Sequence, residues 1–309
     1  TDPGRFTPAD AARAMPLAQQ VAVAGKKAQM TEHLAELVEE QTAQLKREQE
    51  RLRLIHEFGQ ATAGILDETT LLVTATQEIC EAFGYSSLWV GLIKGQELVI
   101  AAGAGECPPE LILGRLPIGP ESLPGRAAAG GGPLLAAAPA EAGGAYSGEL
   151  SSAPPEMAVP LVIQEKVVGV LDAQGDRPGA FDEEDVATLQ TLAGHLSTAL
   201  HNARLFEQLA RGKREWETTF DAIAEGVALL DRGFTIVRAN WALARLLDAT
   251  PQTLAGQDAH GAVCGCAAAD CAIRAAHGSD GVENLEINLA ARGRSFRASF
   301  YPITGVRGD

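Results

Sequence analysis

Residues 157–171 read MAVPLVIQEKVVGVL and carry the most direct fold signal in the chain. They contain two apolar runs, 157–163 and 167–171, separated by Gln164-Glu165-Lys166, which is a turn of hairpin size. Short apolar runs rich in Val and Leu and bounded by turn residues are typical of β-strands. The stretch therefore predicts an antiparallel β-hairpin.

Further signals surround this hairpin. Strand-like runs occupy 87–93, 97–101 and 133–135, and an amphipathic segment over 69–83 predicts a helix before them. Helices at both ends of an antiparallel sheet make an α+β domain, which is the fold class that the sequence predicts. Residues 119–156 are rich in Gly, Ala, Pro and Ser, and predict a long surface loop.

The composition describes an acidic chain with enough apolar residues for more than one core. Its 309 residues are 46% hydrophobic, and domains of about 100–200 residues suggest two or three of them. Asp and Glu number 40 against 25 Lys and Arg, a net charge of −15. A field of that sign repels phosphate, which argues against nucleic-acid partners and contact with anionic membranes. No apolar run approaches the roughly 20 residues that span a bilayer, so we expect a cytoplasmic protein.

An internal repeat indicates where the domains lie. Pro3-Gly4-Arg5-Phe6 recurs 175 residues later as Pro178-Gly179-Ala180-Phe181, and each copy leads through a capping segment into a long Ala/Leu helix. Asp182 followed by Asp185 is a helix N-cap signature in the second copy. The first copy has no strands before it. We therefore expect residues 1–30 to be the carboxy-terminal stub of a preceding domain, and the chain to be a fragment of a longer protein.

A charged helix is predicted over residues 28–60, between the two copies. A seven-residue register places one seam position at Thr31, Val38, Leu45 and Leu52 and the other at Leu34, Gln41, Glu48 and Ile55. Half of the second set is polar, so a coiled coil over 31–55 is expected to be weak in its middle. A solvated single helix remains the alternative.

The segments 119–127, 158–162, 169–172 and 181–205 resemble a GAF domain in their order and spacing. The resemblance extends over about residues 51–205 and is specific for the fold much more than for a ligand. It implies a GAF domain over 56–205, and it makes the stub at residues 1–30 the end of a preceding GAF domain.

A second resemblance follows a connecting helix over 206–219. A strand, a turn, a strand that ends at Asn240 and a short helix over 242–247 resemble the opening of a PAS domain. Residues 285–289 and 294–300 would be later strands, joined by a turn at 291–293. The resemblance implies a PAS domain over 220–309 from which the last strand is missing.

The densest cluster of potential metal ligands lies inside this second domain. It consists of His260, Cys264, Cys266, Cys271 and His277, and the cysteine spacing is Cys-x-Cys-x4-Cys. Thiolates so spaced, with a histidine as fourth ligand, suit zinc or an iron–sulfur cluster. We predict Cys264, Cys266, Cys271 and His260 as the ligands. No familiar metal spacing is matched, so redox-reactive thiols and cysteines that merely pack in an Ala-rich core remain open.

No catalytic residue is predicted. His195 lacks the acidic residue and the proline of a histidine-kinase phosphoacceptor motif, and we expect it to be an ordinary residue of a terminal helix. Cys80 on a predicted helix and Cys107 in a loop lie in no bilin-attachment motif, and the sequence offers neither of them a partner base.

The two resemblances together imply a sensory region of a multi-domain bacterial signalling protein, most simply a histidine kinase. Each sensor domain would bias the helix that leaves it, within a parallel homodimer. A missing kinase module would then act on a response regulator, and this chain would hold no catalytic domain. The ligand would be a small molecule that the sequence does not identify. Alternatives are a ligand-free relay, or the sensor region of a cyclase, a phosphodiesterase or a transcription activator.

Overall fold

The computed structural model describes residues 8–136, 155–177, 179–264, 283–289 and 294–301. The chain forms two compact units, Thr1–Glu207 and Gln208–Asp309. Each unit is described by itself.

The first unit combines long helices with one sheet. Its helices are α1 (Pro8–Ala63), α2 (Glu68–Phe83) and α3 (Leu123–Gly130), and α4 (Glu183–Ala222) begins in this unit. Its strands are β1 (Ser87–Lys94), β2 (Glu97–Gly105), β3 (Arg115–Pro117), β4 (Leu134–Ala136), β5 (Glu156–Ile163) and β6 (Lys166–Gln174). The predicted helix over 28–60 lies within α1. Whether two such helices form a coiled coil stays a prediction.

The strands form one six-stranded antiparallel sheet in the order β3-β2-β1-β6-β5-β4. The predicted hairpin is confirmed as β5–β6, closed by the pair Ile163 and Lys166. Gln164 and Glu165 turn the chain with φ of 49° and 63°, which is the left-handed conformation of a two-residue hairpin turn. The α+β prediction with an antiparallel sheet is confirmed for this unit.

The two faces of the sheet serve different purposes, because successive side chains point to opposite sides. On one face Leu88, Val90, Val159 and Leu171 join side chains of α1, α2 and α4 in the main hydrophobic core. On the opposite face Ala158 and Val170 pack with Leu123 and Ala127 of α3 in a smaller cluster. We call this second side the α3 face.

Helix α3 corrects one prediction, since residues 123–130 lie inside the predicted long loop over 119–156. The Ser122 side chain accepts a hydrogen bond from the Gly125 amide at 3.1 Å, and Gly131 ends the helix with φ of 70°. A serine cap, a proline in the first turn and a run of alanines are helix-forming features. The loop was nevertheless predicted, because the segment 119–156 as a whole is rich in Gly and Pro. Residues 137–154 of the predicted loop lie outside the described residues.

Ion pairs join α4 to the helices that precede it in the chain. The predicted cap is confirmed, because the Asp182 carboxylate accepts from the amides of Glu184 and Asp185 at 2.8 and 3.0 Å. Arg51 of α1 pairs with Glu184 and, at 3.4 Å, with Asp185. Arg204 of α4 pairs with Glu68 at the start of α2 at 2.7 Å.

The second unit starts with the end of α4. It contains β7 (Ala228–Leu230), β8 (Ile236–Ala239), α5 (Trp241–Leu246), α6 (Pro251–Leu254), a π-helical turn (His260–Cys264), β9 (Glu283–Leu289) and β10 (Arg294–Phe300). The predicted strand–turn–strand–helix order is confirmed, and β9 pairs with β10 antiparallel. That these elements form a PAS domain stays a prediction. None of the described helices has an apolar stretch sufficient to cross a membrane.

Candidate functional site

A row of paired residues crosses the centre of the sheet. Trp89 of β1 lies opposite Asp172 of β6, and Asp172 lies opposite Ala158 of β5. Directly opposed residues of antiparallel strands share a face, so all three belong to the α3 face. Glu156 stands two residues before Ala158 on the same strand and therefore on the same face.

Glu156 and Asp172 are named the buried acidic pair. Asp172 is fully buried and Glu156 is 3% exposed. Within the described residues, neither carboxylate oxygen of Asp172 has a hydrogen-bond partner, and Oε1 of Glu156 has none. Burying a charged or polar group without a partner is costly, so such groups in folded proteins are normally satisfied. The pair is therefore an electrostatic anomaly among the described residues of this unit.

Burial sets the protonation of the buried acidic pair. It raises the pKa of Glu156 to about 7, against the opposing influence of the adjacent Asp172 carboxyl group and of the Arg126 charge. Burial also raises the pKa of Asp172 well above its usual value, and the negative charge of Glu156 adds to that effect. With both pKa values raised, the buried acidic pair retains a proton near neutral pH.

Two further side chains border the pair. Trp89 is fully buried, and its Nε1–H has no hydrogen-bond partner among the described residues. It approaches Asp172 closely enough to lower the pKa of that carboxyl. Arg126 of α3 exerts the attraction on Glu156 described above. The α3 face thus brings together two carboxyl groups, one guanidinium and one indole.

Two of the described cysteines, Cys80 and Cys107, lie in the first unit. An added Cβ at Gly103, the β2 residue opposite Trp89, would come within 2.5 Å of Cys107 Sγ, so this thiol packs directly on β2. Cys80 of α2 is buried, and its Sγ donates to the Tyr85 carbonyl at 3.2 Å. Burial raises the pKa of both thiols. A raised pKa disfavours the reactive thiolate.

A separate surface groove lies near Cys80. It has a volume of about 580 Å³ and opens widely to solvent. Its lining residues are Gln77, Cys80, Glu81, Gly84, Tyr85, Ala104 and Gly105. It does not include the buried acidic pair, whose unsatisfied charged groups make the α3 face the stronger candidate.

The predicted metal ligands are only partly described. His260 begins the π-helical turn and is 9% exposed. Cys264 ends the same turn, while Cys266, Cys271 and His277 lie outside the described residues. In the part of the chain that the structure describes, no group of three or more His, Cys, Asp or Glu side chains could hold a metal ion. The zinc or iron–sulfur site stays a prediction.

His195 lies on α4, as expected for a residue of a terminal helix. Its ring is exposed and faces Gly59 of α1, where an added Cβ would come within 2.9 Å of Nδ1. The histidine therefore contributes to the approach of these two helices.

Sequence reasoning missed the buried acidic pair, Trp89 and Arg126. A usable signal was present for the two acids. Each adjoins an apolar run, and alternation along the strand places its side chain on a covered face of the sheet. Arg126 gave no comparable signal, since it falls in the segment that was predicted to be a loop.

Comparisons with known proteins agree with this architecture. The family model described as "GAF domain" matches residues 65–201. A search of curated proteins finds no match.

Solved structures that resemble the chain include three of different origin. Free methionine-R-sulfoxide reductase from Neisseria meningitidis, in complex with its substrate, is 26% identical, with a TM-score of 0.43 and coverage of 50% of this chain and 90% of that one. The GAF domain of a phosphoenolpyruvate-protein phosphotransferase from Coxiella burnetii is 23% identical, with a TM-score of 0.46 and coverage of 53% and 98%. The second GAF domain of DevS from Mycobacterium smegmatis is 24% identical, with a TM-score of 0.37 and coverage of 48% and 99%.

The fold of the first unit, its α3 face and the family match lead to one conclusion: this chain contains a GAF domain over residues 65–201.

Proposed function

We propose that this chain is the sensory and dimerisation region of a two-component signalling protein. In this proposal the GAF domain receives a ligand signal at its α3 face, and helix α4 carries the resulting change out of the domain. A kinase module elsewhere in the protein then acts on a response regulator. The chain itself supplies no catalytic domain in this scheme.

The observation that carries the proposal is that both strands of the buried acidic pair connect closely to α4, one along the chain and one through a hydrogen bond. Asp172 lies ten residues before Asp182, the cap of α4. Strand β5, which begins with Glu156, also reaches α4, because the Val162 amide donates to the buried Ser197 hydroxyl at 3.1 Å. In this proposal a small movement of β5 or β6 reaches the helix at these two points.

Helix α1 offers a matching route for signals that arrive from upstream. Arg51 ties it to the first turn of α4 through Glu184 and Asp185. Ile55 and Phe58 of α1 are buried in the main core with side chains of α4. The helix that enters the GAF domain thus contacts the helix that leaves it.

The proposed dimer is a parallel coiled coil along α1. Val38, Leu45 and Leu52, at one predicted seam position, are 64%, 60% and 59% exposed in the single chain. Large apolar side chains at seven-residue spacing are buried when a second helix covers them. The polar seam residues Gln41 and Glu48 would keep the coil marginal, so that two packings of similar energy can interconvert.

In the second unit we propose a PAS domain. A zinc ion or iron–sulfur cluster held by Cys264, Cys266, Cys271 and His260 would add a metal or redox input. The same sensory arrangement suits a cyclase, a phosphodiesterase or a transcription activator as the output, and a ligand-free relay as the simplest case. The output domain distinguishes the kinase from the cyclase, the phosphodiesterase and the transcription activator, and the ligand-free relay is a separate alternative.

The test uses hydrogen–deuterium exchange of the 309-residue protein and a Glu156→Gln, Asp172→Asn variant. Neutralising the acidic pair imitates the loss of negative charge that a bound cation would cause. We expect altered exchange in peptides of α4 beyond residue 205 as well as in β5 and β6. The matched control is Glu165→Gln, an exposed change in the turn of the same hairpin.

If the altered exchange in the double variant stops within residues 156–175, the GAF domain does not act on α4 and the proposal is wrong. This experiment requires no knowledge of the ligand.

A further inference from the structure

We propose that the buried acidic pair binds the ammonium group of a small organic amine. The inference rests on the proposed sensory function and adds the chemical class of the ligand. It starts from Asp172, which is fully buried with both carboxylate oxygens unsatisfied among the described residues, and from Glu156, which is nearly as buried.

A cation is the ligand that can take the place of the proton that the acidic pair retains. Two carboxyl groups face the site, and Arg126 provides one positive charge. The retained proton leaves one negative charge on the pair, which Arg126 balances, and a cation that displaces the proton keeps the site balanced. An ammonium group donates three hydrogen bonds and accepts none, which suits oxygens that only accept.

An organic ammonium suits the surroundings better than a metal ion. Calcium and magnesium take six or more oxygen ligands, whereas the described residues contain no cluster of three potential ligands. The neighbouring side chains on the α3 face are apolar, namely Leu98, Leu123, Ala127, Ala158 and Val170. The ligand is therefore expected to carry an apolar portion beside its charged group.

Trp89 is a second feature of the α3 face that suits a cationic ligand. It is fully buried and lies directly opposite Asp172 in the sheet. An indole favours cations against its ring face. Trp89 and the acidic pair therefore lie on one face of the sheet, and both favour a positively charged group.

Binding is expected to release a proton. The groups that face the site are Glu156 from β5, Asp172 from β6, Arg126 from α3 and Cys107 from the segment after β2. Because the acidic pair holds a proton near neutrality, an ammonium ion must displace it. Affinity should therefore rise from pH 6 to about pH 8, over which an ordinary alkylamine stays charged.

The experiment is isothermal titration of the 309-residue protein with n-butylammonium chloride at about pH 8, with n-butanol as the uncharged analogue and sodium chloride to match ionic strength. We expect a dissociation constant in the range of about 1 mM, at least about tenfold below that of n-butanol. Asp172→Asn should weaken butylammonium binding about tenfold or more, and Glu165→Gln should leave it unchanged.

If binding is observed, three results would overturn the inference. They are equal binding of n-butanol, butylammonium binding that survives Asp172→Asn, and tighter binding of magnesium chloride than of butylammonium. Absence of any heat up to about 50 mM butylammonium, far above the expected constant, also overturns it. If Asp172→Asn does not fold by circular dichroism, Glu156→Gln replaces it with the same expectation. A failure here leaves the exchange test of α4 intact, so the two proposals fail separately.

Discussion

At the scale of single residues, the acidic pair makes the stability of the GAF domain depend on pH in an unusual direction. Carboxyl groups of an unfolded chain ionise near pH 4, whereas burial holds the pKa of Glu156 near 7 and raises that of Asp172. Above about pH 4 the folded state therefore binds more protons than the unfolded state. This contribution is fully present below the unfolded pKa and is lost as pH rises toward 7 and beyond.

The Asp172→Asn variant should accordingly show a flatter fall of the unfolding free energy between about pH 5 and pH 8. At the alkaline end it should equal or exceed the wild type, by roughly 1–3 kcal/mol. Urea unfolding at several pH values measures this difference. The control is Glu165→Gln on the exposed turn of the same hairpin. Parallel curves for wild type and Asp172→Asn would show that the pair does not retain its proton.

Asn240 is the corresponding key residue of the second unit. It is fully buried, its Oδ1 accepts from the amides of Val227 and Leu243 at 2.9 Å each, and its Nδ2 donates to the Glu225 carbonyl at 2.8 Å. Asn240→Asp keeps the shape but replaces a donor with a buried charge. We expect destabilisation of this unit by roughly 2–4 kcal/mol.

Thermal unfolding of the full chain, read from circular dichroism, measures the effect of Asn240→Asp. Gln252→Ala at an exposed position of α6 is the control and should change little. A melting curve for Asn240→Asp that coincides with the wild type would mean that this hydrogen-bond network does not hold the unit together.

At the scale of secondary-structure elements, two glycines should respond in opposite directions to alanine. An added Cβ at Gly169, in the middle of β6, would lie 2.4 Å from the Gly91 carbonyl oxygen of β1, whereas at Gly194 of α4 nothing lies within 4 Å. Gly169→Ala must push two paired strands apart, so we expect a loss of several kcal/mol. Gly194→Ala should stabilise the helix by about 0.5–1 kcal/mol.

Urea unfolding of the two variants checks this pair directly. Both variants add the same single methyl group, one at a crowded strand position and one at an open helix position. Equal effects would contradict the close approach of β6 to β1.

The elements that were predictable from sequence are those with local signals. The β5–β6 hairpin has apolar runs on both sides of a short turn, and α4 has its Asp182 cap. Helix α3 was missed because its Ser122 cap lies in a segment whose Gly and Pro content predicts a loop. Its stability depends on tertiary burial of Leu123 and Ala127, which local sequence does not report.

At the scale of the whole molecule, the proposed dimer predicts a mass of two chains in sedimentation velocity. Leu45→Glu together with Leu52→Glu places charges at the seam and should shift the protein to monomers. Ala43→Glu, outside the predicted seam, is the matched control. A seam variant that stays dimeric would show that α1 is not the dimer interface.

The sequence predicted the α+β domain, whereas for the candidate site it offered only the strand positions of the two acids. Trp89, Arg126, Glu156 and Asp172 come from four different elements and meet only because β1, β6 and β5 are neighbours beneath α3. Strand order depends on long-range pairing and cannot be deduced from residue spacing along the chain. The predicted metal ligands, in contrast, were recognised because they lie close together in the sequence.

The most direct measurement of the central claim is hydrogen–deuterium exchange of the 309-residue protein with and without saturating n-butylammonium, at fixed pH and ionic strength. Occupation of the acidic pair is predicted to change exchange in α4 on both sides of residue 205 in the wild type, and to change nothing in Asp172→Asn. Butylammonium that binds the wild type but leaves α4 unchanged would contradict the account of this GAF domain as a sensor that acts through its exit helix.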